Sequence, residues 1–91
     1  MPKYFYSILT CNVVEGGETI LNRIEVTVEA NNADGLFPVV GVLKWAEERF
    51  KGRCIEGSMQ VESVIEISEG DFNEFNSWRE GQGRRIALFA N

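Results

Sequence analysis

The strongest fold signal in this chain comes from residues 4–30, which read YFYSILTCNVVEGGETILNRIEVTVEA. Apolar and polar residues alternate on both sides of the central Glu-Gly-Gly-Glu, as expected for two half-buried strands around a tight turn. A two-residue Gly-Gly loop fixes the register of a β-hairpin, because glycine readily takes the positive φ angles that such turns need. The sequence therefore predicts strands over residues 4–14 and 19–30, with Leu9 opposite Ile24.

This register sorts the hairpin side chains onto two faces. One face, called here the aliphatic face, carries Leu9 and Ile24, and we expect the helices to pack on it. The other, called the tyrosine face, carries Tyr4, Tyr6 and Ile8 opposite acidic and threonine side chains. Such a mixture is typical of a recognition surface, although cross-strand packing alone would also account for the tyrosines. The residues predicted to bind a partner are Tyr4, Tyr6, Ile8, Glu25, Glu29, Glu62 and Glu66.

The first predicted helix follows a turn-rich stretch, with Pro38 in its first turn and Gly52 just after its end. It runs from Leu36 or Pro38 to Phe50 or Lys51. Its apolar side chains recur at steps of three and four, which predicts one buried stripe along the helix. The stripe consists of Leu36, Val39, Leu43, Ala46 and Phe50, and it is flanked by Val42 and Trp45.

The rest of the chain predicts a strand, a helix and a strand. Residues 58–68 alternate apolar and polar side chains, the pattern of a half-buried strand. A second, shorter helix with an aromatic side begins at Asp71 and ends at Gly81 or Gly83. The last strand covers residues 84–90.

Length and composition indicate a single α+β domain over residues 1–91. The chain is 44% hydrophobic and 25% charged, as in ordinary globular domains. We expect β-β-α-β-α-β order, with a mostly antiparallel four-stranded sheet and both helices on one face. No apolar run approaches the ~20 residues that span a bilayer, and no secretory signal is recognisable. We therefore expect a cytoplasmic protein without membrane contact.

The sequence offers little for catalysis. It has no histidine, which removes the usual general base and the commonest metal ligand. It also lacks the glycine-rich phosphate-binding and dinucleotide-binding motifs. Glu62 and Glu66 lie roughly 13 Å apart along a strand at ~3.3 Å per residue, too far for a shared acid–base site. We therefore expect no enzyme activity, no cofactor and no metal.

Two cysteines, Cys11 and Cys54, are too few for a disulfide scaffold and lack the spacing of a metal site. Cys11 falls on the aliphatic face, and we expect it to be a small buried hydrophobic residue. Cys54 follows the first helix and is expected to be partly exposed. Arg49, Lys51 and Arg53 precede it, and they would favour a reactive thiolate if they lay close in space.

A glycine-rich stretch followed by two arginines, EGQGRR at residues 80–85, is the best candidate for anion contact. Such a loop can hold a phosphate through backbone N–H groups and guanidinium forks. Arginines at the start of an edge strand also block unwanted strand pairing, and we favour that interpretation. The net charge of −5 argues against broad nucleic-acid binding. The candidate anion contacts are Arg79, Arg84 and Arg85.

The favoured hypothesis is a non-catalytic interaction or regulatory protein that binds a protein partner with a basic surface. Its tyrosine face or a neighbouring edge strand would make the contact. One case is an inhibitor of a nucleic-acid-binding partner. The first alternative is a structural homodimer, in which Glu25 and Glu62 of the two copies would have to avoid each other. The second is a weak nucleic-acid module that uses the C-terminal arginines and binds less tightly as salt rises.

Overall fold

A computed structural model describes residues 2–81 and 87–90 of the chain and shows an α+β fold. Three antiparallel strands and two helices form most of it. Neither helix in these residues is long and apolar enough to cross a membrane. In chain order the elements are β1 (Lys3–Glu15), β2 (Glu18–Ala30), α1 (Val39–Arg49), β3 (Gln60–Ile67), α2 (Glu69–Gly81) and β4 (Ala87–Ala90).

The hairpin of β1 and β2 has the predicted register. Leu9 pairs with Ile24, and the two strands pair along their full length. Gly16 and Gly17 form the turn with φ angles of 61° and 82°. Because both angles lie in the left-handed region, most other residues would be strained at either position.

The sheet has the strand order β3-β1-β2-β4, so the hairpin lies at its centre. β1 pairs with β3 in antiparallel orientation, and β2 pairs with β4 in parallel. β4 is shorter than the predicted strand, and residues 84–86 of that prediction lie outside the described residues. The central position of the hairpin leaves β3 at one edge of the sheet.

The main core lies on the aliphatic face, as predicted from the alternation. Its side chains are almost completely shielded from water, and the burial of each valine, leucine, isoleucine, phenylalanine or methionine among them contributes roughly 1.5–3 kcal/mol. Ser7 also lies there, and its hydroxyl donates to the carbonyl oxygen of Ser63 at 2.8 Å. The buried apolar residues are Phe5, Leu9, Cys11, Ile24, Val26, Val28, Ala30, Val42, Ala46 and Met59.

The helix α1 covers this core with part of the predicted stripe, because Ala46 is buried and Leu43 and Phe50 are partly buried against the core. Val42 and Ala46 are its buried residues, whereas Leu36 and Val39 are exposed. The reason is that the helix begins only at Val39, so Leu36 belongs to the preceding loop. Val42, which the sequence pattern placed at the flank of the stripe, is completely buried.

The helix α2 packs on the tyrosine face, so the prediction of both helices on one face is wrong. The ring centroid of Phe72 lies 4.9 Å from that of Tyr4, and Phe75 lies 5.3 Å from Tyr6. Tyrosine has a polar hydroxyl but a large apolar ring, which an aromatic helix side can bury. The resulting fold has three layers: α1, the sheet and α2.

A β-bulge in β3 places its two acidic residues, Glu62 and Glu66, on opposite faces of the sheet. Pairing passes from Ile8 with Ser63 to Leu9 with Val61, which leaves Glu62 as the extra residue. A bulge shifts the alternation of side chains. Glu66 therefore lies opposite Phe5 on the aliphatic side, whereas Glu62 pairs with Arg23 on the tyrosine side. The prediction that Glu62 and Glu66 share a face with the tyrosines is wrong for Glu66.

Candidate interaction site

Most of the tyrosine face is occupied by the protein's own second helix. Tyr6 donates a 2.6 Å hydrogen bond from its hydroxyl to the Glu25 carboxylate. Arg79 of α2 forms an ion pair with the same carboxylate, and Arg79 is only 8% exposed. Burial, together with the hydrogen bond to Glu25, raises the pKa of Tyr6 to about 12. Tyr6 and Glu25 thus hold α2 against the sheet.

A second polar contact lies under the same helix. Thr27 of β2 donates from its hydroxyl to the side-chain oxygen of Asn76 at 2.7 Å, and both residues are buried. Buried polar groups are costly unless they are hydrogen-bonded. This pair fixes the position of α2 across the sheet, because Asn76 lies over β2 while Phe75 lies over β1.

The other predicted contact residues do not form one surface. Ile8 and Glu29 are half-buried, and Glu29 accepts a 3.3 Å hydrogen bond from the Asn31 side chain. Glu62 accepts two hydrogen bonds from Arg23, at 3.1 and 3.2 Å. Glu66 lies 3.3 Å from the Lys3 ammonium on the opposite side of the sheet. Because both ion pairs are exposed to water, each contributes little stability.

The outer edge of β3 is the most accessible feature near these residues. Among the described strands, none pairs with this edge. Val64 and Ile65 project to opposite faces there and are 40% and 55% exposed. Because adjacent residues of a strand project to opposite faces, Val64 and Ile65 cannot both face one core, and the sequence therefore indicated that at least one of them is exposed. An exposed edge strand with apolar side chains is a template for pairing with another chain.

Acidic side chains surround this edge. Glu62 and Glu66 belong to β3, and the start of α2 adds further carboxylates. No lysine or arginine occurs between Cys54 and Trp78 in the sequence. Because Arg23 and Lys3 pair with Glu62 and Glu66, the excess of negative charge near this edge comes from the start of α2. The acids of this segment are Glu56, Glu62, Glu66, Glu69, Asp71 and Glu74.

The flank of α2 carries a shallow, open depression of about 330 Å³ between its side chains, called here the α2 cleft. It is lined by Asp71, Glu74, Phe75 and Trp78. Trp78 is 55% exposed although it is large and apolar. The sequence pattern did not indicate that these residues form one site. Their spacing of three, four and seven places them on one side of a helix, and that was the available signal.

The predicted anion contacts are not assembled in the described residues. Arg79 is buried and paired with Glu25, a position that disfavours contact with an external anion, and that role stays a prediction. The physical reason is that Arg79 lies on the side of α2 that packs against the sheet. Arg84 and Arg85 lie outside the described residues.

The two cysteines form a disulfide between β1 and the segment after α1. Cys11 is buried as expected, but it is bonded to Cys54 and is not a free thiol. Cys54 approaches β1 because it forms a β-bridge with Val13, and Ile55 N–H donates to the Asn12 carbonyl at 2.7 Å. Disulfides persist mainly in oxidising compartments. The cytoplasmic location stays a prediction, and this bond argues against it.

A wider groove of about 570 Å³ lies next to Cys54. Its wall mixes lysines, glutamates and apolar side chains, so it has no single chemical character. The described residues contain no group of three or more His, Cys, Asp and Glu side chains suited to a metal ion. The wall of this groove includes Lys44, Glu47, Glu48, Phe50, Lys51 and Met59.

Comparison of the chain with protein-family models, curated proteins and solved structures finds no match.

Proposed function

We propose that this protein is a non-catalytic interaction protein that binds an extended, basic segment of a protein partner along the outer edge of β3. The observation that carries the proposal is the accessible edge itself, with Val64 and Ile65 exposed on its two sides. The partner segment would add a strand next to β3. This mode of recognition combines main-chain hydrogen bonds with side-chain contacts.

The backbone of β3 supplies the affinity in this proposal. In an antiparallel sheet the N–H and C=O groups of alternate residues point to one side of a strand, so about half of the eight residues of β3 face away from β1. Each main-chain hydrogen bond contributes a net ~0.5–1.5 kcal/mol. Apolar partner side chains would then cover Val64 on one face and Ile65 on the other.

Charge supplies the selectivity. Glu62 and Glu66 lie on opposite faces of β3 in exposed ion pairs with Arg23 and Lys3, and a lysine or arginine on either face of the partner strand would share or replace these weak pairs. Complementary charges increase the rate of association and discriminate against acidic partners. Because the carboxylates are exposed, the contribution should fall as salt rises. A nucleic-acid-binding protein is one partner class with suitable basic segments, and its binding here would be inhibitory.

The proposal replaces the tyrosine face by the β3 edge as the contact surface. Tyr4, Tyr6 and Glu25 stabilise the packing of α2 in this arrangement and do not meet the partner directly. The absence of histidine from the sequence, with Glu62 and Glu66 each paired to a cation, favours binding over catalysis.

The test uses a synthetic eight-residue peptide of repeated Val-Val-Arg-Arg, matched to the length of β3, which places valine and arginine on both faces of an added strand. We expect it to slow amide hydrogen exchange in β3 selectively. Replacing the exposed apolar pair, V64K with I65K, should weaken binding at least about tenfold, because like charges across an interface cost several kcal/mol. The matched control is L21K, which places a lysine at an exposed apolar position of β2 far from the edge.

Two outcomes would overturn the proposal. One is undiminished peptide binding by the V64K/I65K variant, or protection confined to residues outside β3. The other is a protein that forms a dimer without peptide and already protects β3 in that dimer. The second outcome would assign the edge to a second copy of the chain and favour the homo-oligomer alternative.

A further inference from the structure

The α2 cleft combines aromatic rings and carboxylates. The ring centroids of Phe75 and Trp78 lie 6.0 Å apart with an interplanar angle of 47°, so the rings form an angled wall. Asp71 and Glu74 line the same cleft and are exposed. Aromatic faces attract cations through their ring quadrupoles, and carboxylates add charge and hydrogen-bond acceptors. This composition suits a cationic side chain.

The two rings already bind a cation of this protein on their inner side. The guanidinium carbon of Arg79 lies 5.4 Å from the Phe75 centroid and 5.7 Å from the Trp78 centroid. Arg79 is buried between α2 and Glu25 of the sheet, and it does not line the cleft. The sheet side of the rings is therefore occupied, while the cleft opens on the side of the two carboxylates.

The α2 cleft also faces the direction in which β3 forms the edge of the sheet. Phe75 packs over Tyr6 of β1, and Asn76 packs over Thr27 of β2. The direction from β2 to β1 continues to β3 in the strand order. The flank that carries Phe75 and Trp78 consequently faces the β3 side of the molecule, where the proposed partner strand would lie.

We infer that the α2 cleft binds an arginine side chain of the partner segment that pairs with β3. This inference rests on the proposed function and specifies the partner's chemistry. Arginine suits the cleft better than lysine, because its planar guanidinium can stack on a ring and donate two hydrogen bonds to a carboxylate. An arginine on the α2 side of the added strand would enter the cleft, while other residues of that strand pair with β3.

The first experiment titrates the protein with N-acetyl-arginine amide and with its uncharged citrulline counterpart. We expect the arginine probe to shift the NMR signal of the Trp78 indole N–H, and the citrulline probe to leave it in place. W78L should weaken binding about 2- to 5-fold, the effect of one exposed cation–π contact, as measured from the backbone amide signals of Asp71 and Glu74 because this variant lacks the indole N–H. E74Q should also weaken it, whereas E47Q, an exposed acid on α1, should not. An unmoved Trp78 signal, or equal shifts by both probes, would overturn the inference.

The second experiment separates this inference from the proposed function. It measures β3 amide protection by the valine–arginine peptide in wild type and in E74Q, a variant that keeps both rings and the Arg79 contact. Full β3 protection with unchanged affinity in E74Q and W78L would leave the edge proposal intact and reject the cleft. An arginine probe that shifts Trp78, with no β3 protection by the peptide, would support the cleft and reject strand addition.

Discussion

The aliphatic face and the tyrosine face of the sheet are each covered by one helix, but the contacts differ in kind. On the aliphatic face, α1 contributes Val42 and Ala46 to a core of excluded side chains. On the tyrosine face, α2 is held by ring contacts, by a Thr27–Asn76 hydrogen bond and by the group of Tyr6, Glu25 and Arg79. Burial is non-directional and insensitive to protonation. Hydrogen bonds and ion pairs require particular partners and charge states, so the two faces should fail under different conditions.

The largest expected effect concerns the aliphatic face, and it comes from loss of the disulfide that joins this face to the segment after α1. C54A removes this bond, which joins residues 43 positions apart. We expect a loss of about 4 kcal/mol in the free energy of unfolding, because the crosslink restricts the unfolded chain. The measurement is urea denaturation of both proteins. Dithiothreitol should lower the stability of wild type to that of C54A and leave C54A unchanged. A wild type indifferent to the reductant would contradict this prediction.

Features that depend on residues close in sequence were predicted correctly, whereas features that depend on contacts between distant segments were not. The hairpin register was predictable, because the Gly-Gly turn and the alternation around it are local. The Cys11–Cys54 bond was not, because it depends on the segment after α1 returning beside β1. The bulge at Glu62 depends likewise on pairing between distant strands. Sequence periodicity does not contain such information.

The candidate site shows the same limit. Alternation identified Tyr4 and Tyr6 as one face, but it gave no indication that α2 would cover them. An edge strand was among the predicted contact surfaces, and the strand order now gives β3 as such an edge. The α2 cleft was missed, although the spacing of its residues along one side of the helix was available as a signal.

The second-largest expected effect concerns the tyrosine face, and it comes from loss of the ion pair between Arg79 and Glu25. R79M removes the cation from Glu25 and from the rings of Phe75 and Trp78. We expect a loss of about 2 kcal/mol, because a part-buried carboxylate loses its charged partner. R23M is the matched control, since Arg23 pairs with Glu62 in an exposed position, where a loss below about 1 kcal/mol is expected. Urea denaturation would measure both values.

Hydrogen exchange would show where the R79M effect is located. We expect faster exchange in α2 than in wild type, with little change in α1, because the two helices pack on opposite sides of the sheet. Equal losses of unfolding free energy in R79M and R23M would contradict the proposal that directional contacts hold α2 on the sheet. A uniform increase in exchange through both helices would show instead that the two faces unfold as one cooperative unit.

The smallest effect separates the two faces by pH. Y6F removes the hydroxyl that donates to Glu25, and at neutral pH we expect a loss of about 1 kcal/mol. The pKa of Tyr6 is raised from 10.0 to about 12 in the folded protein, so its stabilising contribution is complete below pH 10 and is lost as pH rises towards 12. The difference in unfolding free energy between wild type and Y6F should therefore shrink over that interval. A difference that stayed constant to pH 12 would show that ionisation of this hydroxyl is not linked to the packing of α2, and the contrast between the faces would then rest on Arg79, the Thr27–Asn76 hydrogen bond and the ring contacts.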